Sequence, residues 1–186
     1  LQKDGNHLIP VNHGELASGL IGDGRMAEPE EIMAFLYEFF NKKKDLVGKK
    51  ILITAGPTYE DLDPVRFIGN HSSGKMGFEI AKAAANLGAE VFLITGPSEE
   101  KVNNTLIQRI NVVTSEEMYK ACHHYFSKVT IAVLSAAVAD YKPKNIAESK
   151  IKKTSDTMTI ELVKTQDILA SLGELKKEQF LVGFAL

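Results

Sequence analysis

The apolar positions of the chain fall into two regimes, divided by a linker at residues 45–48. Before residue 26 glycine recurs and no period is clear. Glu28-Pro29-Glu30-Glu31 then opens a helix, because Pro suits the first helical turn and carboxylates suit the positive end of the helix dipole. Ile32, Phe35, Leu36, Phe39 and Phe40 follow at helical spacing as one apolar stripe. Lys42-Lys43-Lys44 suits the negative end of that helix.

After the linker, strand and helix patterns alternate. Apolar runs at 49–54, 90–95, 109–113, 129–135 and 180–184 predict strands. Helices are predicted at 74–87, with an alanine face and Gly88 as its stop, at 115–126, with Thr114 or Ser115 as N-cap, and at 167–175. Residues 158–163 alternate and predict an antiparallel or edge strand. This succession predicts an α/β fold with a Rossmann-like, doubly wound, mostly parallel sheet. Ligands of such sheets sit beyond the carboxyl ends of the strands, which selects the loops after Thr54, Thr95, Ser135 and Phe184.

Composition narrows the function classes. At 186 residues the chain has room for one well-buried domain and a fragment of a second. A net charge of −2 argues against nucleic acid as a partner. The single cysteine, Cys122, allows no internal disulfide and fits a reducing cytoplasm; inside a predicted helix it reads as a buried structural thiol. No apolar run approaches the roughly 20 residues that cross a bilayer, so no membrane partner is expected. The histidines lack metal spacing, and no protein-built metal site is expected. The chain starts at Leu1 without Met and ends on an apolar run, so both ends are expected to be cut or processing boundaries.

Five stretches carry candidate chemistry. Ala55-Gly56-Pro57-Thr58 puts a glycine turn after the first strand, as in nucleotide sites. A dinucleotide fingerprint would continue G-x-G-x-x-G within that turn, and the second strand would end in an acidic residue rather than Thr95, so NAD is disfavoured. Gly69-Asn70-His71-Ser72-Ser73-Gly74-Lys75-Met76 misses a P-loop by one residue, since a thioether does not suit magnesium. Its hydroxyls, glycines and lysine at a helix start still suit an anion, against the plainer reading of a capping loop. Ser135-Ala136-Ala137-Val138-Ala139-Asp140-Tyr141-Lys142-Pro143 lets a ligand approach small residues, with Asp140 as an acceptor or a help to a metal; a tight strand exit with Asp140 as a cap is the other reading. Lys150-Ile151-Lys152-Lys153 is a solvated face or a phosphate clamp. Val163-Lys164-Thr165-Gln166-Asp167-Ile168-Leu169 points a helix start at a ligand, or holds a plain Thr165 or Asp167 cap.

In this order, T-A-G-P-T, D-P-V-R-F-I-G-N-H-S-S-G-K-M-G, S-A-A-V-A-D-Y, K-I-K-K and V-G-F-A resemble the signature series of the phosphopantothenoylcysteine synthetases. The resemblance covers residues 49–186, and the run 63–77 is its most specific part. Upstream, Gly14-Glu15-Leu16-Ala17-Ser18-Gly19 and Gly22-Asp23-Gly24-Arg25-Met26-Ala27-Glu28-Pro29 resemble the substrate-clamp end of the flavin-dependent phosphopantothenoylcysteine decarboxylases. Residues 1–45 would then be the C-terminal remnant of a decarboxylase domain and 46–186 a ligase domain truncated at its C-terminus. Many relatives carry cysteine at Ser18 as the acid of the decarboxylase; a hydroxyl is a weaker acid, so no decarboxylase activity is assigned to this chain.

The resemblance implies a ligase of coenzyme A biosynthesis that joins 4′-phosphopantothenate to L-cysteine through an acyl-cytidylate made from CTP. Asn70 would donate to the acyl oxygen, and Lys150 would neutralise phosphate charge. Leu134, Ser135, Ala136, Asp140, Lys150, Gln166, Asp167, Ile168, Leu169 and Phe184 would hold CTP. Most relatives have proline at Gln166. Asn70, Ser72, Ser73, Gly74, Lys75, Ala136 and Ala137 would hold phosphopantothenate. Magnesium would ride on the triphosphate, and FMN would belong to the parent's decarboxylase domain. A cytoplasmic homodimer is implied, with 152–163 as an antiparallel dimerisation arm. Truncation makes weak or absent turnover the expectation. The alternatives are a non-catalytic nucleotide-binding or dimerisation piece and, less well supported, a Rossmann oxidoreductase.

Overall fold

The structure, a computed structural model, describes residues 2–4, 6–40, 44–153 and 156–184. Two compact units divide the chain, Leu1–Lys43 and Lys44–Leu186. The first holds a short 3-10 turn at Gln2–Asp4, strands β1 (Asn12–Glu15) and β2 (Ile21–Arg25), and helix α1 (Pro29–Phe40). β1 and β2 pair antiparallel, a hairpin that the glycine-rich sequence conceals. The α1 stripe is half-buried at Ile32, Phe35, Leu36 and Phe39, whereas Phe40 is exposed. Glu31 ties α1 to the hairpin by accepting from the Glu28 N–H (2.9 Å) and the Asn12 amide. These contacts hold its carboxyl below the usual range, the Glu28 bond first. Of the tri-lysine, Lys42 and Lys43 lie outside the described residues.

The second unit runs β3 (Lys50–Ala55), β4 (Tyr59–Asp61), β5 (Phe67–Gly69), α2 (Lys75–Asn86), β6 (Glu90–Thr95), β7 (Ile107–Asn111) and α3 (Ser115–Phe126), then β8 (Ile131–Leu134), β9 (Tyr141–Pro143), β10 (Leu162–Lys164), α4 (Ile168–Leu175) and β11 (Phe180–Gly183). Its main sheet is five-stranded and parallel, in the order β11-β8-β3-β6-β7. The chain leaves β3 toward one edge, then crosses back to β8 on the other side. That reversal is the switch point of a doubly wound sheet, where ligand crevices form.

Strand alternation explains the two helix layers. Ile51, Ile53 and Ala55 face α2 and pack on Phe78, Ala81 and Ala85. Leu52 faces the other way, with Met118, Cys122 and Phe126 of α3 and Ile168 and Leu172 of α4. Strands buried on both faces read as continuous apolar runs, and β3 and β6 do. α2 can lie close because Gly77 has no Cβ: one added there would stand 2.6 Å from the Ala55 Cβ and 2.9 Å from the Thr54 carbonyl oxygen. Thr114 caps α3 in a capping box with Glu117.

Two expectations change. The strand predicted at 158–163 is shorter and later, as β10, and it pairs antiparallel with β9 rather than with the main sheet. The long loop between β3 and α2 contains the β4–β5 hairpin, anchored where buried Glu60 accepts from the Ser115 N–H at 2.7 Å. None of the described helices is long and apolar enough to cross a membrane.

Candidate functional site

The carboxyl ends of β3 and β8 are joined by side-chain and backbone hydrogen bonds. Buried Thr54 accepts through Oγ1 from the N–H groups of Ser135 (3.1 Å) and Ala136 (3.2 Å), and Ser135 Oγ donates back to the Thr54 carbonyl (2.7 Å). The Ala137 N–H donates to the Gly56 carbonyl (2.9 Å), and the Thr58 N–H donates to the Ala137 carbonyl (3.2 Å). Asn70 donates its amide to the carbonyls of Ala137 (3.3 Å) and Val138 (3.0 Å). The loop at 136–140 is therefore a preformed wall. Gly96 is required behind it, because a Cβ there would stand 1.6 Å from the Pro57 carbonyl oxygen.

Beside this wall lies a cavity of about 830 Å³. Of the expected nucleotide residues, Leu134, Ala136, Asp140, Gln166, Asp167, Ile168, Leu169 and Phe184 line it; so do Asn70 and Ala137 from the phosphopantothenate set. Ser135, also expected to hold CTP, is not among the lining residues; it bonds to Thr54, which is. Thr54, His71, Val138, Tyr141, Lys164, Thr165 and Gly183 also line it and were not predicted. Lys164 and Thr165 were within reach, since both stand inside a motif already singled out. His71 was within reach on the same ground, inside the Gly69–Met76 motif, although the histidines show no metal spacing.

The polar groups of this wall are largely spent within the fold. The N–H groups of Ala136 and Ala137 are already donated within the fold, so these residues offer a phosphate space rather than backbone donors. The Asn70 amide is likewise engaged. Asp140 is exposed, and its carboxylate makes no hydrogen bond or ion pair among the described residues. Asp167 is spent as the α4 N-cap, accepting from the Ala170 N–H at 2.8 Å. Leu169 leans over Gly183, where a Cβ would meet its Cδ2 at 2.4 Å.

Five predicted residues lie elsewhere. Ser72 and Ser73 line a second cavity of about 710 Å³, with Tyr59 and Pro97, Ser98, Glu99, Glu100 and Lys101. Their hydroxyls accept from the Gly74 and Lys75 N–H groups, both at 3.3 Å, so they behave as a capping loop. Gly74 is buried with φ +81, and a Cβ there would meet the Gly56 nitrogen at 3.0 Å. Lys75 is exposed on α2 and acts on Glu79. Lys150 lines neither cavity. It faces a third, of about 660 Å³, with Arg66, Lys152, Lys153 and Asp156.

That third region hangs on one hub. Asp63 is 1% exposed and accepts through Oδ1 from the Val65 and Arg66 N–H groups, both at 2.9 Å. Its Oδ2 accepts from the Arg66 guanidinium (Nε, 3.0 Å) and the Ile151 N–H (3.2 Å). Arg66 also donates to the Ile151 carbonyl at 2.9 Å. The guanidinium first, then the three N–H groups, hold the Asp63 carboxyl far below the usual range against its burial. Cys122 is inert by contrast, since burial pushes its thiol up to about 12. Among the described residues no group of three or more His, Cys, Asp or Glu could hold a metal ion. Ser18 is exposed between β1 and β2, in a turn closed by the Leu16 N–H to the Leu20 carbonyl (2.8 Å).

Comparison with known proteins gives a consistent answer. The chain is 50% identical over 191 residues to a cysteine/cysteine sulfinic acid decarboxylase from an unknown prokaryotic organism, covering all of this chain and 53% of that protein. It is 50% identical over 189 residues to the coenzyme A biosynthesis bifunctional protein CoaBC of Haemophilus influenzae, again over the whole chain and 46% of that protein. The chain thus spans about half the length of these curated relatives. A crystal structure of the C-terminal domain of a CoaBC protein superposes with a TM-score of 0.67 at 45% identity, covering 76% of this chain and 66% of that one. Residues 46–186 match the model of the DNA/pantothenate metabolism flavoprotein C-terminal domain, and the chain belongs to that family.

Proposed function

We propose that this chain is the nucleotide-activating part of a phosphopantothenate–cysteine ligase of coenzyme A biosynthesis, with CTP held in the switch-point cavity. The observation that carries this reading is a convergence. Leu134, Ala136, Asp140, the Gln166–Leu169 stretch and Phe184, expected as nucleotide contacts from separate parts of the chain, line one cavity at the ends of β3 and β8. A second support is the name of the CoaBC relatives, which are half identical to this chain.

The proposed chemistry runs in two steps. The carboxylate of 4′-phosphopantothenate attacks the α-phosphorus of CTP; pyrophosphate leaves and an acyl-cytidylate forms. The amine of L-cysteine then attacks the acyl carbon, CMP leaves, and the ammonium proton is lost to water. The free carboxylate of Asp140 accepts from the cytidine. Ala136 and Ala137 keep the wall thin, and Lys164, a lining lysine with no ion pair among the described residues, meets phosphate charge. Asn70 turns its amide from the Ala137 and Val138 carbonyls to the acyl oxygen as charge develops there. Magnesium would ride on the triphosphate, held mainly by phosphate and water.

The proposed assembly is a cytoplasmic homodimer in which the segment bearing Lys150 serves the neighbouring subunit's cavity and the β9–β10 ribbon forms the arm. Within one chain Lys150 lines a different cavity, which favours nucleotide binding without efficient turnover. Residues 1–45 are proposed as the decarboxylase remnant, with Ser18 on its clamp. FMN is proposed for the parent's decarboxylase domain.

Calorimetric titration with Mg·CTP, against Mg·ATP, tests the reading. Heat of binding with CTP alone, weaker but still measurable in Asp140→Ala, is expected. Equal binding of ATP, or no binding of CTP, would contradict it.

A further inference from the structure

The T-A-G-P-T motif and the V-K-T-Q-D-I-L motif each contain a threonine to which the nucleotide reading gives no part. In the structure both reach the same peptide. Thr58 is 0% exposed, and its Oγ1 accepts from the Ala139 N–H at 2.9 Å. Thr165 donates through Oγ1 to the Ala139 carbonyl at 2.7 Å, and its own N–H donates to the Asp140 carbonyl at 2.9 Å. Ala139 is itself buried, so neither of its polar groups can turn to water instead. Asp167, two residues beyond Thr165, supplies the helix cap. Thr165 is thereby left free of the capping role that threonines near helix starts usually take.

We propose that Thr58 and Thr165 are positioning residues that clamp Ala139 from both sides and aim Asp140 into the switch-point cavity. The clamp also joins the two walls that bear the nucleotide contacts, because Thr165 leads directly into Gln166, Asp167, Ile168 and Leu169. Neither hydroxyl touches the ligand through this bond; both act through the backbone beside Asp140. A preorganised acceptor spends no binding free energy on being ordered, so losing the clamp lowers nucleotide affinity. This inference rests on the reading that the cavity holds a nucleotide, but the clamp itself has a signature without one.

The test uses the full chain as Thr165→Val, which removes the hydroxyl and keeps shape and N–H, and Thr165→Ser, which keeps the hydroxyl. Amide hydrogen exchange of residues 136–141 is followed without ligand. Faster exchange in the valine variant, with α3 unchanged and the serine variant like wild type, is expected. Mg·CTP affinity is then measured in a cycle with Asp140→Ala. The valine variant should weaken binding about tenfold, the worth of one well-made hydrogen bond, and should cost little more once Asp140 is gone. Unchanged loop exchange in Thr165→Val overturns the clamp whatever CTP does. Additive losses with Asp140→Ala overturn positioning through Asp140. A wild-type chain that ignores CTP but shows the exchange signature would instead refute the nucleotide reading and leave the clamp standing.

Discussion

The wall at 136–140 and the lysine segment at 150–153 are held in opposite ways. The wall is tied at many points: to Thr54, Gly56, Thr58, Asn70 and Thr165, through bonds that arise on three separate stretches of chain. The lysine segment hangs on Asp63 and Arg66, two residues of one hairpin tip. Distributed bonds keep a wall in place when one is lost; a single ionic hub does not. The contrast suits the proposed roles, with a preformed nucleotide wall and a basic segment that can serve another site.

The largest expected effect falls on the wall's backing. Gly96→Ala drives a methyl group into the Pro57 backbone carbonyl and should cost about 3 kcal/mol or more of unfolding free energy in urea titration. An alanine variant as stable as wild type would show that the two loops can separate, and the wall would no longer be rigid.

Asp63→Asn comes next and sharpens the other side. It removes the charge that Arg66 and the Ile151 N–H share, so limited proteolysis should cut within 145–153 while residues 134–140 stay protected. Its pH signature has a defined sign. The folded pKa lies below the unfolded value of about 3.9. The stabilisation is therefore present above that value and is lost as pH falls through the folded pKa. Melting temperatures of wild type and Asp63→Asn should differ near neutrality and converge in strong acid. A gap that persists unchanged to low pH would contradict the assignment.

Asn70→Ala should cost only about 1 kcal/mol of stability, because two exposed hydrogen bonds are lost while the remaining ties hold the wall. A loss of several kcal/mol by thermal melting would mean that Asn70 is the wall's main support. The smallest effect is at Cys122. With its thiol pushed up to about 12, it should resist thiol reagents at pH 8 in the native state and react at once in urea; fast native labelling would place it outside the α3 core.

Much of the layered architecture was legible because strands buried on both faces leave unbroken runs, as Ile51, Leu52 and Ile53 do, and because Gly88 and Thr114 mark helix ends locally. The hairpins were not. β4 and β5 are three residues each, too short for a period, and what fixes them is Glu60 reaching Ser115 across the fold. Asp63-Pro64 did carry a readable turn signal, since an aspartate before such a turn accepts from the N–H groups that follow. The cavity residues on the strand ends were legible from strand order and motif. Lys150, Ser72 and Ser73 were not, because where a loop lysine or a capping serine points depends on which loop it packs against. That Thr54 spends the Ala136 N–H is likewise a tertiary fact, which no local pattern shows.

The central claim is that the cavity between the ends of β3 and β8 is where the nucleotide binds. Methyl NMR during titration with Mg·CTP tests it most directly, because a stacked base shifts the methyl groups it touches even where a wall is too rigid to change its exchange. The account predicts shifts concentrated on Leu134, Ala136, Ala137, Ile168 and Leu169. Shifts confined to Ile151 and Met158, or none at saturating CTP, would contradict it.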